Sequence, residues 1–195
     1  MNDERARRRR VADAGFGAGG WLAGVRRVRT PNADARPPGT TVSLVVVHGI
    51  SLPPGRYGGD AIERLFTNTL DPDAHPSYRD IAGLRVSAHF LIRRDGTLVQ
   101  FAGCDDRAWH AGVSSWNGRE RCNDYSIGIE LEGTDTRPYT ARQYRRLAAL
   151  LRRIAARYPI AAVVGHSDVA PGRKTDPGPA FDWSRLAGAP GWAGL

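Results

Sequence analysis

Two histidines and an aspartate stand where a metal-assisted reaction could be run. His48 directly follows the apolar run Thr41–Val47 (TVSLVVV), and His166 directly follows the short apolar run Ala162–Gly165. Asp176 comes later, within the Pro- and Gly-rich segment APGRKTDPGP. Two histidine nitrogens and a carboxylate oxygen are ligands zinc accepts. A three-ligand set leaves the fourth tetrahedral position free for water, which separates a hydrolytic zinc site from a structural one. Spacing leaves the plainer reading open: a histidine after a strand is commonly a satisfied surface or core residue, and Asp before Pro also initiates turns.

Two further residues fit the same chemistry. Glu130 lies near the end of the alternating segment YSIGIEL, where burying a carboxylate without a partner is costly. Beside a metal it is placed to take a proton from bound water as a general base. The alternative is that Glu130, or Glu132, is an ordinary strand-end surface residue. Lys174 is the one lysine among 28 cationic side chains; all the others are arginine. A compact ammonium is not interchangeable with a planar guanidinium, and near a reacting carbonyl it suits stabilisation of an oxyanion. The remaining histidines read more weakly: His75 in a polar loop, His89 on a strand as core or support, and His110 beside Trp109, lining a cleft. None of the three is read as a ligand.

These residues need elements to hold them. Thr41–Val47 reads as a strand buried on both faces, followed by a Pro/Gly-rich loop over Ser51–Gly59. Ile62, Leu65 and Phe66 predict a short helix within Asp60–Leu70. Val86–Ile92 and Leu98–Phe101 predict a hairpin around Asp95-Gly96, a pair that supplies the positive φ of a tight turn. Asp106–Asp124 reads as irregular, and Tyr125–Leu131 as a strand. Thr140–Tyr158 predicts the longest helix, with Thr140 and Gln143 forming a capping box, a stripe of Leu147, Leu150, Leu151 and Ile154, and Pro159 ending it. Ala162–Gly165 reads as another strand, and Asp182–Leu186 as a last short helix. Strands and helices interleave, so the class is α/β: a single domain with a central mixed sheet flanked by helices.

Length and composition bound the rest. The 195 residues suit one domain with tails, and no apolar stretch approaches the roughly 18–20 residues that span a bilayer. The net charge of +8 is partly concentrated in MNDERARRRR; the remainder is spread along the chain and reads as solvated surface rather than a nucleic-acid contact, with attraction to an anionic sugar-peptide as a milder reading of the same charge. Residues 1–20 read as a disordered basic extension and 21–195 as the domain. The segment VADAGFGAGGWLAGV is broken by Asp13 and five glycines, so it makes a poor signal-peptide core. With only Cys104 and Cys122, nothing demands an oxidising compartment, and a cytoplasmic location is expected.

The segments VVVHGISLPPGRYGG, RVSAHFLIRRDGTLVQ, RAWHAGVSSWNGRERCNDYSIGIELEGTD and GHSDVAPGRKTDPGPAFDW resemble the zinc N-acetylmuramoyl-L-alanine amidases. Within that family they are most similar to the cytoplasmic members that recycle 1,6-anhydro-muropeptides. The resemblance runs from about Trp21 to Leu186. It implies a mixed sheet with flanking helices shared with peptidoglycan recognition proteins, and zinc held by His48, His166 and Asp176. It also implies that Glu130 activates water, that Lys174 steadies the oxyanion, and that Arg85, Trp109 and Arg121 line the cleft for a muropeptide. A monomer is the expected state. Two departures stand out: Gly49 occupies a position where family members carry Asn, and the arginine-rich start is longer than theirs. The competing expectations are an exported amidase acting on intact wall and a peptidoglycan-binding module without catalysis. The full ligand set, with Glu130 and Lys174, favours an enzyme.

Overall fold

The structure, a computed structural model, describes residues 15–188. Ten strands appear: β1 (Arg26–Arg27), β2 (Ala33–Ala35), β3 (Leu44–Ile50), β4 (Phe90–Ile92), β5 (Leu98–Gln100), β6 (Asp106–Ala108), β7 (Ser115–Trp116), β8 (Arg119–Glu120), β9 (Ser126–Glu132) and β10 (Ala162–Gly165). Six form the central sheet in the order β1-β5-β4-β9-β3-β10. β10, β3, β9 and β4 run parallel; β5 is antiparallel to β4, and β1 is parallel to β5. This is the mixed α/β sheet expected from the pattern. The carboxyl ends of its parallel strands, the edge where α/β sheets place ligands, all lie together.

Alternation along β9 decides which side each residue serves. Ile127, Ile129 and Leu131 enter the main core with Leu147, Leu150, Leu151 and Ile154 of helix α2 (Ala141–Arg157). Ser126, Gly128 and Glu130 alternate with them, and so take the other face. The capping box is present: Gln143 N–H donates to Thr140 Oγ1 at 3.1 Å, and Thr140 N–H to Gln143 Oε1 at 3.0 Å. Helix α1 (Ala61–Phe66) is shorter than its pattern, ending before Asn68, which takes φ +60°.

Several boundaries differ from expectation, among them β4, which starts at Phe90 rather than Val86. β3 starts at Leu44 rather than Thr41, because its neighbours begin opposite Leu44, at Ala162 and Ser126. It then runs on to Ile50, paired with Glu132, so His48 sits inside the strand rather than after it. Asp106–Asp124 is not wholly irregular: β6 pairs with β2, and β7 with β8. Packing also begins ahead of the expected boundary at Trp21. Phe16 is buried, bridges to Leu22 and meets the Tyr158 ring edge-on at 6.0 Å. Residues 1–14, where most of the expected disordered extension falls, lie outside the described residues.

Candidate active site

The three expected ligands meet. His48 projects from β3, beside Glu130 of β9 in register, and His166 opens helix α3 (His166–Val169) immediately after β10. Ser167 N–H donates to the Asp176 carbonyl at 2.9 Å, which returns the Asp176 loop to the sheet edge. His48 Nδ1 lies 2.9 Å from His166 Nδ1, and Asp176 Oδ2 lies 3.1 Å from His166 Nδ1 and 3.3 Å from His48 Nδ1. Two imidazole nitrogens and a carboxylate oxygen are a zinc donor set. Ligands about 2.0–2.1 Å from a tetrahedral zinc stand about 3.3 Å from one another, so this triangle fits the ion. Gly49 has a role here too. A Cβ at that position would collide with the Tyr139 hydroxyl, which donates to the Pro177 carbonyl at 3.0 Å beside Asp176.

Burial sets the charges. It pushes the His48 imidazole down to about 4, against the opposing pull of Asp176, so the ring is neutral near pH 7. Burial works to raise Asp176 as well, but the facing His166 and His48 outweigh it and hold the carboxyl well below its ordinary range. Glu130 is buried, and among the described residues its Oε2 has no hydrogen-bond partner. Burial first, then the charge of Asp176, raises its carboxyl well above the usual range, while Lys174 works the other way. A carboxyl with a free, raised oxygen beside a candidate metal cluster is equipped to accept a proton. Lys174 is exposed, yet its charge acts on both Glu130 and His48.

His110 joins this set although it was not read as a ligand and does not become one. Its Nδ1 stands 2.9 Å from His48 Nε2, and its Nε2 stands 3.1 Å from Ser126 Oγ. Burial holds the ring well below its ordinary pKa. Gly128 faces this ring, and a Cβ there would overlap it. The signal was present in the sequence: a glycine inside an apolar strand marks the close approach of another group. Sequence reasoning missed Arg36 altogether; it is treated below.

The residues expected to line a cleft are dispersed. Arg121 is exposed at φ +59°, and its Nε lies 3.1 Å from Asp124 Oδ2. It lines a cavity of about 550 Å³ with Val113, Ser115, Pro171 and Arg173. Arg173 donates to the Ala111 carbonyl at 2.6 Å, the carbonyl that His166 Nε2 meets at 3.3 Å, which links the cavity wall to the ligand cluster. Trp109 is half-buried and Arg85 is exposed. Neither lines that cavity. Residues between Pro53 and Tyr78, including Ala61 and Arg64 of α1, line a separate cavity of about 440 Å³.

A mixed α/β sheet with a histidine–histidine–carboxylate cluster at its carboxyl edge, and a buried carboxyl beside it, defines the class: a hydrolase built on an amidase fold. The chain belongs to the N-acetylmuramoyl-L-alanine amidase family, whose model matches residues 38–179. It is 62% identical over 169 residues to the 1,6-anhydro-N-acetylmuramyl-L-alanine amidase AmpD of Escherichia coli K12, covering 86% of this chain and 92% of that one. A crystal structure of a selenomethionine AmpD derivative superposes with a TM-score of 0.86 at 60% identity, over 88% of this chain and 97% of the other. The E. coli amidase AmiD, in complex with the substrate anhydro-N-acetylmuramic acid-L-Ala-D-γ-Glu-L-Lys, is more distant. It gives a TM-score of 0.56 at 31% identity, over 78% of this chain and 59% of that one.

Proposed function

We propose that this amidase is zinc-dependent and hydrolyses the amide between 1,6-anhydro-N-acetylmuramic acid and L-alanine, acting in the cytoplasm in recycling of the cell wall. The observation that carries the metal is the triangle of His48 Nδ1, His166 Nδ1 and Asp176 Oδ2, three acceptors 2.9–3.3 Å apart that face one another. The substrate follows from the likeness to AmpD over nearly all of both chains. Among the described residues no helix is long and apolar enough to cross a membrane.

Zinc held by these three residues would supply Lewis acidity toward the scissile carbonyl and a water of lowered pKa. Glu130, with its free Oε2, takes the proton of the attacking water and returns it to the leaving alanine nitrogen. The Lys174 ammonium offsets charge that builds on the carbonyl oxygen. Arg121, on the open cavity, offers its guanidinium to a stem-peptide carboxylate, and the Trp109 indole offers a face to the sugar. Arg85 contributes a second cation for the peptide. A single chain holds every residue used.

The test is mass spectrometry of products from an anhydro-muropeptide and from intact sacculus, each with and without zinc restored to a chelated enzyme. The expected result is zinc-dependent release of the peptide from the anhydro-muropeptide, at least tenfold faster than from sacculus. Preference for sacculus would instead indicate an exported wall amidase, and equal rates after chelation would end the zinc assignment.

A further inference from the structure

The hydrogen bonds behind His48 have directions that the atoms themselves dictate. Ser126 Oγ lies 2.6 Å from the Cys122 carbonyl oxygen. A carbonyl only accepts, so the hydroxyl proton lies on that bond. The 3.1 Å contact from Ser126 Oγ to His110 Nε2 then needs its proton from the ring. His110 is buried, and among the described residues its ring nitrogens meet only Ser126 Oγ and His48 Nε2, so with its proton on Nε2 its Nδ1 serves as the acceptor. The 2.9 Å contact to His48 Nε2 must therefore carry the His48 proton. That leaves His48 Nδ1 without one, aimed at His166 and Asp176.

We propose that His110, oriented by Ser126, is a positioning residue that locks His48 in the tautomer with its proton on Nε2 and its lone pair on Nδ1 for the metal. Gly128 belongs to the device, because only the absence of a Cβ lets the ring lie against β9. His166 needs no such relay, since its Nε2 meets a backbone carbonyl directly, at Ala111. Groups that fix a metal-bound imidazole through its other nitrogen commonly contribute 10–100-fold in metal affinity.

The inference rests on the zinc reading above, and its test separates the two. Zinc affinity is measured by competition with a chromophoric chelator for the wild type, His110→Asn and His110→Leu. The variants have similar size and both lack the ring, but Asn places an acceptor oxygen near the position of Nδ1. His110→Leu is expected to bind zinc roughly 10–100-fold more weakly, and His110→Asn to recover most of that loss. Equal affinities for the two variants would overturn the proposal; absence of zinc binding by the wild type would overturn the zinc reading instead. ¹⁵N NMR of the metal-free wild type tests the same point without any substitution. The His48 signals should report protonated Nε2 and bare Nδ1, and the opposite tautomer or an even mixture would also overturn it.

Discussion

Two buried polar clusters lie almost back to back, with the His89 and His110 rings 5.7 Å apart. In the first, Arg36 donates to the carbonyls of Asn123, Asp124, Cys104 and Ser126 at 2.8–3.1 Å. His89 Nδ1 accepts from Gly128 N–H at 3.0 Å, and His89 Nε2 meets the Asp106 carbonyl at 3.1 Å. Apart from Arg36 Nε, every group in that cluster has a partner. In the second, His48 Nδ1, His166 Nδ1 and Asp176 Oδ2 crowd together with only a long 3.4 Å contact from Gly49 N–H, and Glu130 Oε2 has none. Buried acceptors are ordinarily satisfied. The cluster that closes on itself holds the chain in place, and the one that does not close leaves acceptors for the cation proposed above.

The largest expected effect comes from opening the second cluster further. Asp176→Ala removes the one charged ligand, so zinc content should fall well below one per chain and hydrolysis should drop by at least ~10³-fold. Zinc analysis and the product assay read both, and full zinc with full activity would break the contrast.

Glu130→Gln keeps the shape and removes the proton acceptor. Zinc should stay while kcat falls by roughly 10²–10⁴-fold, the range for loss of a general base. Loss of zinc together with activity would make Glu130 a ligand and redraw the cluster. Lys174→Arg keeps the charge but replaces a point donor with a planar one. Zinc should be retained and kcat lowered on the order of 10²-fold, with KM little changed; a near-normal kcat would show that positive charge alone suffices.

The closed cluster should respond in the opposite currency. Arg36→Met orphans four carbonyls, each costing about 1–3 kcal/mol if left unpaired. The urea midpoint should therefore fall strongly, with zinc still at one per folded chain. A stable variant that has lost zinc would show that the two clusters are not separable.

The smallest effect concerns pH. Burial first, then Arg36, pushes His89 down to about 3, below the ordinary 6.5 of an unfolded histidine. The unfolded chain therefore takes up the proton first, and stability is lost as pH falls below about 6.5 toward 3. At pH 4.5 this ring should account for about 2–3 kcal/mol of lost stability. NMR should show His89 in its neutral form down to pH 5, and a titration near 6.5 would contradict the closed arrangement.

Much of this was legible in the chain. β10 was read with its observed ends, and the capping box of α2 was read from Thr140 and Gln143, because caps and periodicity are local and repeat along the sequence. His48, His166 and Asp176 were read from histidines at the ends of apolar runs and an aspartate in a rigid loop. The structure brings them within 4.8 Å of one another. Arg36 was invisible because its partners are backbone carbonyls 68 to 90 residues away, and a carbonyl carries no residue identity. β2 was missed for a related reason: three residues, ADA, have no pattern until β6 pairs with them.

The sequence by itself determined the ingredients: which residues bear lone pairs and charges, which runs become strands, and where the long helix starts. Tertiary structure decided what those ingredients face. Parallel registry set His48 beside Glu130 and brought His166 to the same edge, and the absence of a side chain at Gly128 admitted the His110 ring behind them. Ring-nitrogen roles are assigned by the partner each nitrogen meets, and those partners, Ala111 for His166 and His110 for His48, lie 55 and 62 residues away along the chain. A local pattern specifies a histidine; only the folded neighbourhood specifies which of its nitrogens is bare.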